Sequence, residues 1–71
     1  MATGRIKWFN ATKGYGFIVP DEGGSDVFIH VTALEKAGLG PVGEGQRLGY
    51  EIASNKGRES AVNIKLLEDS A

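Results

Sequence analysis

The chain has 71 residues, a formal net charge of −1 and no cysteine, so it holds one domain, residues 1–71, with neither disulfides nor thiolate metal sites to support it. The lone His30 excludes a multi-histidine metal site. The stretch from Met1 to Lys7 lacks the apolar run of a signal peptide and no segment is long enough to span a bilayer, which predicts a soluble cytoplasmic protein without a membrane partner.

Eleven glycines and several β-rich runs predict short strands joined by turns. The first strand is predicted over Gly4 to Asn10, and Ala11-Thr12-Lys13-Gly14 reads as a tight connection. Tyr15 to Val19 is the second strand, stopped by Pro20, and Asp21 to Ser25 is a turn cluster. Asp26 to Val31 gives the third strand. Thr32 to Lys36 predicts one helical turn, with Thr32 as N-cap and Glu35 at the capping-box position, too short to count as a helix. The glycine-rich stretch from Ala37 to Gln46, with Pro41, is a loop of about ten residues, a length more often functional or mobile than regular. Arg47 to Ser54 gives a fourth strand and Ser60 to Leu66 a fifth, with Asn55-Lys56-Gly57-Arg58 turning the chain between them. The acidic tail after Leu67 reads as frayed. Five short strands must close on themselves or leave sticky edges, so a compact five-stranded barrel is the expected architecture.

Charge is unevenly spread. Residues 1–20 carry Arg5, Lys7 and Lys13 and no acid, whereas residues 21–71 carry five bases and nine acids, so +3 and −4 make the net −1. A basic face on a mildly acidic body has limited electrostatic reach, and affinity for a polyanion would need a large non-ionic contribution.

The aromatic residues offer that contribution. Side chains alternate between the faces of a strand, so Tyr15 and Phe17 share one face while Gly14, Gly16 and Ile18 take the other. In the third strand Val27 and Ile29 mark the inner face and leave Phe28 and His30 outside. Trp8 and Phe9 extend the ring surface, although strict alternation puts the two on opposite faces, and Lys7 and Lys13 flank it. The plain alternative is that the rings form the core. Ile6, Ile18, Val27, Ile29, Leu48, Tyr50, Ile52, Val62 and Ile64 already supply a core at the correct period, so the rings are left over. Exposed rings rimmed by lysine suit base stacking, worth roughly 1–3 kcal/mol per base. Bases in a duplex are already stacked and paired, so the partner is single-stranded RNA or DNA. Lysines on phosphates read no sequence, which predicts weak sequence preference.

Other signals lead to blander readings. No nucleophile or carboxylate constellation surrounds His30, which is expected to stack rather than to catalyse. No catalytic residue, metal, cofactor or small-molecule substrate is expected. Lys56-Gly57-Arg58 is either a solvated turn or a phosphate contact, and both Lys56 and Arg58 enter the candidate site. The competing functional class is a protein-interaction barrel that uses the aromatic patch for docking. The chain is expected to be a monomer.

Two motifs carry a family resemblance. Lys13-Gly14-Tyr15-Gly16-Phe17-Ile18 resembles the first ribonucleoprotein motif of the bacterial cold-shock proteins, and Val27-Phe28-Ile29-His30 the second. Gly4 to Asn10, Glu44-Gly45-Gln46 and Asn63-Ile64 also match, so the similarity covers nearly the whole chain. The resemblance implies an all-β fold, a five-stranded antiparallel OB-fold barrel, that binds single-stranded RNA and DNA. It also implies an RNA chaperone or a regulator of transcription or translation. The family's binding positions fall on Lys7, Trp8, Lys13, Tyr15, Phe17, Phe28 and His30. The chain departs from the pattern at Val31 and Leu39, where the family usually has aromatics, and at Lys56-Gly57-Arg58 in place of a basic residue, Gly and Pro. Losing two rings should lower affinity or shorten the footprint.

Overall fold

Strand propensity and glycine-marked turns organise the computed structural model, which describes residues 2–40, 42–55 and 57–67. The strands are β1 (Ala2–Asn10), β2 (Tyr15–Pro20), β3 (Val27–His30), β4 (Arg47–Asn55) and β5 (Arg58–Leu66), with a short helix α1 (Val31–Lys36) after β3. They close into a barrel in the order β1-β2-β3-β5-β4. The β1–β2, β2–β3, β1–β4 and β4–β5 pairings are antiparallel, and the closing β3–β5 contact is parallel through Phe28 and Ser60. No helix among the described residues is long and apolar enough to cross a membrane.

Two bulges decide which side chains face inward. In β1, Ile6 pairs with Ile18 but Trp8 pairs with Phe17, so Lys7 is an extra residue. Lys7 and Trp8 therefore both face outward, and Phe9 turns inward opposite Gly16. In β5, Val62 pairs with Glu51 and Lys65 with Gly49, so Asn63 and Ile64 together oppose Tyr50. Asn63, at the β5 bulge, sits at φ 51°, the left-handed conformation that asparagine tolerates better than most residues.

The core consists of Ile6, Ile18, Val27, Ile29, Leu34, Leu48, Tyr50, Ala61 and Ile64. This corrects the sequence expectation at four positions. The β5 bulge breaks the alternation of Val62 with Ile64, leaving Val62 half-buried and turning Ala61 inward. Ile52 is 46% exposed because β1 pairing with β4 ends at Ala2 and Tyr50, so β4 continues past the barrel rim. Leu34 enters from α1, which packs on β3 and β5. The expected helical turn spans six residues, and its N-cap is His30 rather than Thr32. Strand ends differ from expectation by one or two residues, since β1 starts at Ala2, β3 spans only Val27–His30, and β5 starts at Arg58.

Outside the core, Asp21 ties two strands together. Its carboxylate accepts from the Thr3 hydroxyl at 2.7 Å and pairs with Arg47 at 2.6 Å, and these partners hold its pKa below the ordinary carboxylate value.

Close backbone approach explains Gly16. A methyl placed there would lie 2.8 Å from Phe9 Cα and closer still to the Trp8 carbonyl oxygen. Because the obstacle is backbone, Gly16→Ala should cost about 1–3 kcal/mol, the usual range for overpacking, measured as a lower urea midpoint with an unchanged slope. A second expectation concerns Tyr50, which is fully buried and whose hydroxyl has no hydrogen-bond partner among the described residues. Burial first, then the Asp21 and Glu22 carboxylates, push its pKa above the ordinary tyrosine value. The folded state thus holds the neutral phenol, and the unfolded chain ionises first as pH rises through about 10. Stability should fall above that pH. Tyr50→Phe should flatten this alkaline loss without destabilising the protein at neutral pH, as read by denaturant titration across the range.

Candidate nucleic-acid interface

Register places the rings. Tyr15 lies opposite His30, and Phe17 opposite Phe28, in the β2–β3 ladder, while the β1 bulge sets Trp8 opposite Phe17. Directly opposed side chains on one face are close enough to touch. The result is a continuous run of rings. Trp8 meets Phe17 and Tyr15 edge-on with centroids 5.3 and 5.6 Å apart. Tyr15 and Phe28 stack at 5.9 Å with planes 26° apart, Phe17 meets Phe28 edge-on at 5.8 Å, and His30 follows Phe28 at 6.3 Å. Trp8 is 37% exposed, His30 is exposed, and Tyr15, Phe17 and Phe28 are half-buried.

The rings floor an open depression of about 970 Å³ whose rim includes Asp26, Gly57, Arg58 and Glu59. Parallel closure of β3 on β5 brings the start of β5 to this face, and the Arg58 guanidinium sits 5.3 Å from the Phe28 ring centre. Cation–π contact of this kind contributes about 0.5–1 kcal/mol at exposed sites. It leaves the guanidinium beside the stacking surface.

His30 has a second structural duty. Its Nδ1 accepts the Thr32 backbone N–H at 3.2 Å and lies 3.0 Å from the Thr32 hydroxyl, capping α1. That arrangement assigns the proton of the neutral ring to Nε2. The cap also fixes the plane of the imidazole at the end of the ring run.

The cations are placed differently from one another. Lys7 pairs with Asp26 at 3.0 Å, and its side chain remains 54% exposed. An exposed pair of this type is worth about 0–1 kcal/mol, so a phosphate can readily compete for the lysine. Lys13 is exposed in the β1–β2 turn, where its backbone N–H donates to Asn10 Oδ1 at 3.0 Å and fixes the turn. Lys56 lies outside the described residues.

Of the candidate residues, Trp8, Tyr15, Phe17, Phe28, His30 and Arg58 come together on one face. Phe9 does not join them: it packs against the core on the inner side of β1. Asp26 and Glu59 border the depression and were not anticipated. Asp26 was legible, because it lies two residues before Phe28 and alternation puts both on one side. Glu59 reaches this face only through barrel closure. At the two departures from the family pattern, Val31 is half-buried and Leu39 packs against the core, so neither extends the ring surface.

Comparison with known proteins agrees with this geometry. The model of the "Cold-shock" DNA-binding domain matches residues 2–67. A probable cold shock protein, y4cH, of Sinorhizobium fredii is 52% identical over 67 residues, covering 92% of this chain and 97% of that protein. Cold shock protein CspA of Rhizobium meliloti is 48% identical over the same shares of the two chains, and cold shock-like protein CspE of Escherichia coli is 44% identical over 86% and 88%. A chain whose barrel is closed by these strands, and which matches this model along nearly its whole length, belongs to the cold-shock domain family of nucleic-acid-binding proteins.

Proposed function

We propose that this protein binds single-stranded RNA and DNA by stacking unpaired bases on Trp8, Tyr15, Phe17, Phe28 and His30, with Lys7, Lys13 and Arg58 contacting phosphates. Lys56, two residues before Arg58 in the sequence, belongs to the same cationic set. The observation that carries this reading is that an aliphatic core, completed by Tyr50, is full without these rings, which remain contiguous on the outside. Buried rings would serve packing. Rings at the surface, in mutual contact and bordered by cations, offer π-faces that any base can use.

Sequence preference is weak on this reading, because stacking and phosphate contact do not read base edges. Such a binder holds transcripts unpaired, so its role is that of an RNA chaperone or a regulator of transcription or translation in the cytoplasm. The chain acts as a monomer and performs no catalysis.

Titration with matched single-stranded and duplex oligonucleotides tests the proposal through Trp8, the only tryptophan. Single strands should quench its fluorescence and duplexes should not. A protein-docking barrel would leave Trp8 silent to both. Replacing Phe17 or Phe28 by alanine should cost roughly 1–3 kcal/mol of oligonucleotide affinity. The accompanying loss of folding stability should be well below the about 2–5 kcal/mol expected for Ile18→Ala in the core. Affinity should also fall with salt, by about 0.7 in log–log slope for each phosphate contact. Unfolding by either ring substitution, with full binding per folded molecule, would assign the rings to the core and end the proposal.

A further inference from the structure

The ring surface does not stop at its last ring. Phe28 and His30 also line a second concavity, about 460 Å³, between α1 and β5. Thr32, Ala33 and Lys36 contribute from the helix, and Ala61, Val62 and Asn63 from the strand. Its volume falls in the range of small-ligand sites, about 300–1,000 Å³. Its electrostatics differ from those of the ring depression. Asp26 and Glu59 border the rings, whereas among the described residues no carboxylate lines this groove and the exposed Lys36 is the charged side chain on it.

We propose that the α1–β5 groove is a further nucleotide subsite, receiving the base that follows the one stacked against Phe28 and His30, with Lys36 on its phosphate. The proposal rests on the single-strand reading above. Continuity argues for this occupant, since Phe28 lines both concavities, and His30, the ring next to it, forms part of the groove's wall. The lining suits a nucleotide, with small apolar side chains for the base and a cationic rim for the phosphodiester. The groove also lies where flat stacking ends. Val31 and Leu39 are turned toward the protein, so the chain offers no further ring beyond His30. The His30 ring, held by its cap on Thr32, lies beside Phe28 at the groove's edge.

Oligothymidylates of about four and about eight nucleotides, bracketing the lower range of OB-fold site sizes, separate the subsites. The wild-type chain should bind the longer oligonucleotide more tightly than the shorter. Lys36→Gln should weaken the longer complex several-fold and flatten its salt slope by about 0.7, the share of one phosphate contact. It should leave the shorter complex unchanged, and Lys36→Arg should restore the longer one. Amide resonances of Ala33, Val62 and Asn63 should shift only with the longer oligonucleotide. Equal weakening of both complexes by Lys36→Gln would overturn the proposal. So would silence of those amides while the longer oligonucleotide quenches Trp8. If neither oligonucleotide quenches Trp8, the single-strand reading fails and this inference fails with it.

Discussion

Where β1 crosses β2 at Gly16, the two backbones come closer than any side chain would allow, with Phe9 Cα only 2.8 Å from where a methyl would sit. That approach depends on Phe9 turning inward, which in turn depends on Lys7 being an extra residue in β1. The same bulge turns Trp8 outward, opposite Phe17. One local irregularity therefore completes the inner packing and adds the indole to the outer rings. Without it, Trp8 would follow Ile6 into the barrel and the ring surface would lose its exposed end. The inner side of β2 can be filled by glycine and isoleucine because the opposing strand supplies the bulk.

Electrostatics on this face are mixed rather than uniformly positive. Asp26 holds Lys7, and Glu59 stands beside Arg58 along the same depression. Carboxylates next to the rings disfavour phosphates there. The net charge of −1 is consistent with such an arrangement, since attraction at long range is small and the stacking contribution is non-ionic. Ion pairs as exposed as Lys7–Asp26 contribute little to the fold.

Much of this was legible in the residues because β2 and β3 follow strict alternation. Period alone puts Tyr15, Phe17, Phe28 and His30 on the outer face, and the register makes them neighbours. What alternation could not give was the consequence of an extra residue. The β1 bulge decides between Trp8 and Phe9, and the β5 bulge at Asn63 exchanges Val62 for Ala61 in the core. Neither insertion has a signature in hydrophobic pattern. The Ile52 expectation failed for another reason, since period cannot show where a strand outruns its neighbour. Arg58 and Glu59 sit by the rings because β5 closes in parallel on β3, a contact between residues distant in sequence. Leu34 lies in a turn too short to show a helical hydrophobic period, although six residues are enough to deliver one fully buried side chain.

The two aliphatic departures from the family pattern have a physical logic of their own. A methyl on Gly14 would come within 3.0 Å of Val31 Cγ1, so Val31 fills space beside the β1–β2 turn. Gly14 holds φ 80° there, and its carbonyl accepts the Val31 backbone N–H at 2.8 Å. Leu39 is tied back to the helix by its own backbone bond to Leu34 and packs on the core. Val31 after β3 and Leu39 after α1 are thus both used for packing rather than for extending the ring surface. A flat platform accepts any base by its face. The groove between α1 and β5 has small apolar walls and Lys36 at its rim, so the surface changes character where the rings end.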